Sequence, residues 1–178
     1  PNLNYQVRKI ASHITSMVDS DPATYSSGYH LVCHSQGALI CRCLTEYMSS
    51  HNISKLVSMA GPQMGVYDEA FFEFFGEKIG EVALEEIYKL AYTGVFQDSL
   101  SVANMWSDPY HVDEYLESNA FLPIYNGLVE HDRKDEFKDN FLSLDKAVFV
   151  VGSQAEGVTF DGGIGPWSSG VFSYYNST

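Results

Sequence analysis

The residues most able to do chemistry in this sequence sit in one short stretch, Cys33-His34-Ser35-Gln36-Gly37. A serine hydroxyl is a poor nucleophile unless it is held out of the regular backbone, next to a general base and to N–H groups that can take up negative charge. The pattern G-x-S-x-G meets that need by placing the serine on a sharp turn between a strand and a helix, the nucleophile elbow. Here Cys33 stands where the first glycine is usual. The flanking residues have the required periodicities. Tyr29 to Cys33 is an apolar run that predicts a strand, and Gln36 to Ser49 predicts a helix with Ile40, Leu44 and Met48 inward. Ser35 is the expected nucleophile, and the backbone N–H of Gln36, at the start of the helix, is the expected oxyanion donor.

The elements around this turn must form a sheet that holds it. Leu3, Val7, Ile10, Ile14 and Met17 recur at helical spacing and predict a first helix ending near Asp19 to Pro22, with Gln6, Arg8, Lys9 and His13 on its polar face. Ile53 to Ala60 predicts a second strand, closing on Gly61-Pro62, and Ala147 to Gly152 a third. Helix and strand alternating in this way imply parallel strands joined by crossovers, an α/β fold. Function then belongs at the C-terminal ends of the strands, where Ser35 and the loop Gly61-Pro62-Gln63-Met64-Gly65 fall.

Between about residues 66 and 145 the alternation stops. Short helices are predicted at Asp68–Phe75, Glu81–Tyr92, Asp98–Trp106, Val112–Glu117 and Lys134–Leu144. This insertion is rich in aromatic residues, among them Phe71, Phe72, Phe74, Phe75, Tyr88, Phe96, Trp106, Tyr110, Tyr115 and Phe121. Such residues most often form the insertion's own core. The sharper alternative is that a few line a groove for an acyl chain. After the third strand comes the loop Ser153 to Gly157, where a triad carboxylate is expected. Glu156 occupies that place and Asp161 is the reserve.

Composition removes several function classes. Ten Lys and Arg against 23 Asp and Glu give a formal charge of -13, which does not suit a phosphate-rich nucleic-acid partner. No apolar run approaches the roughly 18 to 20 residues that span a bilayer. The three cysteines, Cys33, Cys41 and Cys43, lack the spacing of a zinc site. A disulfide from Cys33 to Cys41 across the elbow is sterically allowed, and small buried thiols are the equal alternative. N-x-[ST] sequons at Asn52 and Asn176 are candidate glycosylation sites and point modestly to the secretory pathway.

Taken in order, L-V-C-H-S-Q-G-A-L-I-C-R, P-Q-M-G, N-M-W-S-D-P-Y-H-V-D-E-Y-L, F-L-P-I-Y-N-G, K-D-N-F-L and G-P-W-S-S-G-V-F-S-Y-Y resemble the palmitoyl-protein thioesterase family, closest to its lysosomal branch. The resemblance runs over about 150 residues. It implies an α/β-hydrolase fold with a helical cap, here a partial domain over 1–178 with the cap at about 66–145. It also implies hydrolysis of long-chain fatty-acyl thioesters, lysosomal or secretory location, and a Ser, Asp and His triad in that order, with no metal or organic cofactor. Ser35 falls on the nucleophile and Glu156 on the acid, so that Glu stands for Asp. The family's His follows the acid, and this sequence has no His after His131. His34 is a poor base for its neighbour, and His111 and His131 precede the acid. The base is therefore expected outside the chain, the chain is expected to be the middle of a longer enzyme, and the isolated piece is expected to be inactive. The alternatives are a lipase or oxygen esterase of the same fold and a non-catalytic lipid-binding relative. Oligomeric state is not legible.

Overall fold

A computed structural model describes residues 1–67 and 84–150. Its centre is a parallel sheet of three strands in the order β1-β2-β3, with β1 at Tyr29–His34, β2 at Ile53–Met59 and β3 at Lys146–Val150. The register pairs Leu31 with Leu56 and Leu56 with Ala147, and at the end of the first pair of strands His34 with Met59. Each β1 side chain alternates between the covered and the open face, and His30, Val32 and His34 are the exposed ones.

Helix α1 runs over Leu3–Ser20 and α2 over Pro22–Tyr25. Asn2 caps α1, accepting from Tyr5 N at 2.8 Å, and Asp21 caps α2 through Thr24 N at 3.2 Å. The buried stripe of α1 is Leu3, Val7, Ala11 and Ile14, whereas Ile10 and Met17, expected inward, are 38% and 39% exposed. Ala11 lies one turn beyond Val7 and is buried in the core cluster that holds Leu39, Ile40 and Leu44 of α3. Periodicity weighted toward large residues misses such a contact. Helix α3, Gln36–Tyr47, is the β1-to-β2 crossover; it ends two residues earlier than expected, with Met48 in extended backbone packing on the core.

In the insertion the described helices are α4 at Leu84–Ala91, α5 at Gly94–Ser99, α6 at Ser101–Met105, α7 at Val112–Ser118 and α8 at Leu122–Tyr125. The helix expected over Asp98–Trp106 is broken at Leu100, whose backbone is extended. Helix α8 was not foreseen; Pro123 sits in its first turn, where a proline's missing N–H costs nothing. The segment expected at Asp68–Phe75, with Phe71, Phe72, Phe74 and Phe75, lies outside the described residues. Buried amides tie the insertion together and to α1. Asn104 Oδ1 accepts from Leu3 N at 2.8 Å, and Asn104 Nδ2 donates to Gln97 O and Oε1 at 2.9 Å each. Asn119 donates to the carbonyls of Asn104 and Trp106. Trp106, Tyr115 and Phe121 are buried in cores, while Tyr110 is 75% exposed.

Helix α9, Lys134–Leu142, leads into β3. Phe141, Leu56 and Met64 form a small core with Leu31, Cys41, Leu144, Ala147 and Phe149 between the helices and the covered face of the sheet. These elements make an α/β fold, as expected. Among the described residues no helix is long and apolar enough to cross a membrane, and no group of three or more His, Cys, Asp or Glu is placed to hold a metal ion.

Candidate active site

Ser35 stands alone between β1 and α3, with φ 54° and ψ -133°. Backbone of this kind strains any residue other than glycine, typically by about 1–3 kcal/mol, and persists only where the surroundings impose it. Two constraints do so. Ser35 N donates to Met59 O at 2.9 Å, pinning the turn to the end of β2, and the Ser35 carbonyl accepts from Ala38 N at 2.9 Å, starting the helix. A disulfide joins Cys33 in β1 to Cys41 in α3, with 6.5 Å between Cα atoms, so the strand before the turn and the helix after it are covalently fastened. Of the two readings of these cysteines, the bridge is the one the structure forms; Cys43 is the buried free thiol, its pKa pushed up by burial.

Gln36 and Gly37 open α3, so their N–H groups have no intrahelical acceptor. Among the described residues neither is taken by another group. The Gln36 side chain is directed to α1, donating to Gln6 Oε1 at 3.2 Å. Among the described residues, the end of α3 at Ser35 therefore presents N–H groups without an acceptor beside a half-buried serine. An incoming carbonyl oxygen that becomes negatively charged would be stabilised by such an arrangement.

The loop after β2 lies beside this turn. Ala60 has φ 48° and donates to Val150 O at 2.8 Å, which aligns the C-terminal ends of β2 and β3. The chain thus leaves β3 at the edge of the sheet that carries Ser35. Glu156 and Asp161 follow in sequence and lie outside the described residues, as does Asn176.

Arg42, two turns along α3 from Ser35, was not anticipated as a site residue. Its guanidinium is fully buried and bound from every side. Nε donates to Gln63 Oε1 at 2.8 Å, Nη1 to Glu46 Oε1 at 3.0 Å and to Tyr125 O at 2.9 Å, and Nη2 to Asn126 Oδ1 at 2.8 Å and Gln63 O at 3.3 Å. One side chain so joins α3, the loop after β2 and the end of α8. The only sequence signal was an arginine inside the apolar run A-L-I-C-R-C-L, which is costly to bury without such partners.

The histidines divide by environment. His34 projects from the exposed face of β1. His111 Nδ1 lies 3.0 Å from Asp108 Oδ2, and its ring stacks on Tyr88 with centroids 3.5 Å apart. His131 Nδ1 accepts from Arg133 N at 3.3 Å. His51, which sequence reasoning passed over, bonds through Nε2 to Thr45 O and Asn140 O at 3.0 Å each, and its Nδ1 accepts from Ile53 N at 3.2 Å. Burial lowers its pKa below the usual 6.5. Asn52, at the first sequon, is exposed, and its Nδ2 donates to Tyr25 O and Ser26 O at 2.9 and 3.3 Å.

A strained serine on a strand-to-helix turn of a parallel sheet is shared by many hydrolases, and comparison with known proteins narrows the field. The profile of the palmitoyl protein thioesterase family matches residues 1–178. The chain belongs to that family. Among its curated relatives, lysosomal thioesterase PPT2 of Mus musculus is 31% identical over 172 residues, covering 97% of this chain and 53% of the relative. The Homo sapiens protein of the same name is 33% identical over 150 residues, 84% of this chain and 47% of the relative. Palmitoyl-protein thioesterase 3 of Dictyostelium discoideum is 30% identical over 161 residues, 89% of this chain and 50% of the relative. The chain spans about half the length of these thioesterases. The family resemblance read from the sequence is thereby established.

Proposed function

We propose that the protein of which this chain is a part hydrolyses long-chain fatty-acyl thioesters, on a protein or on a carrier such as coenzyme A, through an acyl-enzyme on Ser35. The observation that carries the reading is the Ser35 turn, strained at φ 54°, fastened by the Cys33–Cys41 bridge and set against N–H groups that have no acceptor among the described residues. Support for the substrate class comes from the names of the relatives, which are thioesterases.

In the proposed reaction a histidine contributed from outside this chain takes the Ser35 Oγ proton as Oγ bonds to the thioester carbonyl carbon. Glu156, with Asp161 in reserve, orients that histidine and offsets its positive charge. The carbonyl oxygen becomes anionic against the Gln36 N–H, a donor of a kind whose loss typically costs about 3–4 kcal/mol of barrier. The carbon–sulfur bond breaks, the thiolate takes the proton from the histidine, and water then hydrolyses the ester on Ser35 by the same route in reverse. No step calls for a metal or an organic cofactor. The segment at about 66–145 is the proposed cap. Location in the lysosome follows the named location of the relatives, and Asn52 and Asn176 are the proposed glycan acceptors.

Turnover of palmitoyl-CoA and of a matched palmitoyl oxygen ester by the full-length protein, with and without Ser35→Ala, tests the proposal. Thioester turnover that exceeds ester turnover and disappears with the substitution is the expected result. Preference for the oxygen ester would assign a lipase or esterase instead. A folded protein that binds acyl chains without turning either substrate over would assign a lipid-binding domain.

A further inference from the structure

The elbow is supported from below by Gln63, a residue for which no family role or motif chemistry was read from the sequence. We infer that Gln63, gripped by Arg42, is a positioning residue that fixes the first turn of α3 and hence the place of Ser35 Oγ and the Gln36 N–H. The inference rests on Ser35 being the nucleophile.

Gln63 is 1% exposed, and both ends of its amide are hydrogen-bonded. Oε1 accepts from Arg42 Nε at 2.8 Å, and Nε2 donates to Ser58 Oγ at 2.9 Å. Its carbonyl accepts from Arg42 Nη2 at 3.3 Å and from Asn126 Nδ2 at 3.2 Å. Ser58, 2% exposed, lies on β2 in register with Cys33, two residues before the nucleophile. The amide also sits directly over Gly61. A Cβ added at Gly61 would lie 2.5 Å from Gln63 Nε2 and 2.8 Å from the Ala38 side chain. Ala38 is in the first turn of α3, the turn whose N–H groups face the proposed oxyanion. A continuous line of contacts therefore runs from Asn126 and Arg42 through Gln63 to Gly61, Ala38 and the elbow.

The chemistry of this line argues for position rather than bulk stability. An apolar residue of similar volume would fill the same space without a buried guanidinium and amide to satisfy, and such replacements are often neutral or stabilising. A buried network of hydrogen bonds instead favours one geometry, because a shift takes bonded donors and acceptors away from their partners. Reaction at Ser35 depends on that geometry, since a misplacement of about 1 Å can cost around 100-fold in rate.

The test uses full-length protein and three substitutions: Gln63→Met, Ser58→Ala, which removes only the far end of the amide's bond, and Arg133→Met, a control distant from the elbow at the other end of α3. Rates of Ser35 labelling by a fluorophosphonate, kcat and KM for palmitoyl-CoA, and melting temperature are measured for each. Gln63→Met is expected to slow labelling and lower kcat by about 10- to 100-fold with KM little changed, and Ser58→Ala to do so by a smaller factor. Arg133→Met is expected to label as wild type even if its melting temperature falls as far. Should Gln63→Met fail to fold, Ser58→Ala carries the comparison. Variants that lose stability but label and turn over at the wild-type rate would overturn the inference. A wild-type protein that turns over without labelling at Ser35 would overturn the nucleophile assignment first, and this inference with it.

Discussion

The two ends of α3 are treated in opposite ways. Every helix leaves N–H groups unpaired at its start and carbonyls unpaired at its finish. At the finish of α3 each is provided for by a side chain from elsewhere: His51 Nε2 bonds to Thr45 O, Asn140 Nδ2 donates to Glu46 O at 2.8 Å and Arg133 Nη2 donates to Tyr47 O at 2.8 Å. Arg133 also lies over the Tyr47 and Phe137 rings and pairs with Glu136. At the start, Ser35 makes no side-chain cap and, among the described residues, nothing accepts from the Gln36 and Gly37 N–H groups. One end secures the helix against the rest of the fold. The other keeps its strain and, among the described residues, N–H groups without acceptors, which the proposed reaction would use.

The sharpest way to separate the ends is substitution at Ser35. Ser35→Gly should remove turnover by more than about 1,000-fold. It should also raise stability by about 1 kcal/mol, because glycine accepts the positive φ that serine does not. Activity assays and chemical denaturation of the same protein check both signs. Next in size is the bridge. Breaking it by Cys33→Ser with Cys41→Ser should cost about 2–3 kcal/mol in a loop this short, and turnover should fall because the strand and helix on either side of Ser35 are no longer fastened. Denaturation midpoint and kcat for the double variant measure the two effects.

Substitutions at the finish of α3 should show the reverse pattern. Asn140→Ala is expected to cost about 1 kcal/mol with kcat changed less than about twofold, as read by thermal melting and turnover. The smallest effect is on pH dependence. The folded-state pKa of His51 is lowered by burial, so below about pH 6.5 the unfolded chain takes up this proton more readily than the folded one. Its contribution is complete above that pH and is lost as pH falls toward the lower, folded-state value. His51→Gln should flatten the decline in melting temperature across that window. Glu136 acts at still lower pH. Its carboxyl, held down to about 2 by bonds from Arg133 and then Ser49, supports the fold above about 4.5 and loses that effect as pH falls toward 2.

Much of this arrangement was legible in the sequence, and the rest was hidden for physical reasons. The alternation around Ser35 gave β1, β2, α3 and the start of β3 to within one or two residues, because apolar runs and turn residues act locally. The pairing of Cys33 with Cys41 stayed open, since spacing permits a bridge without requiring it. The inward face of α1 was placed toward Ile10 and Met17 because a small contact residue, Ala11, carries little weight in a hydrophobic pattern. The buried bonds of Arg42, Gln63, Asn126 and His51 were hidden for a different reason. Each owes its role to partners between 2 and 89 positions away in sequence, and a buried polar network has no periodicity to read. The acid at Glu156 or Asp161 rests on the family order and on the direction in which β3 ends.

The account turns on whether the acyl group passes through Ser35. Full-length protein quenched during turnover of palmitoyl-CoA and mapped by peptide mass spectrometry tests this directly. A palmitoyl ester on Ser35, absent from Ser35→Ala, is the expected result. A protein that turns over the thioester while carrying the acyl group on another residue, or that keeps its activity in Ser35→Ala, would contradict it.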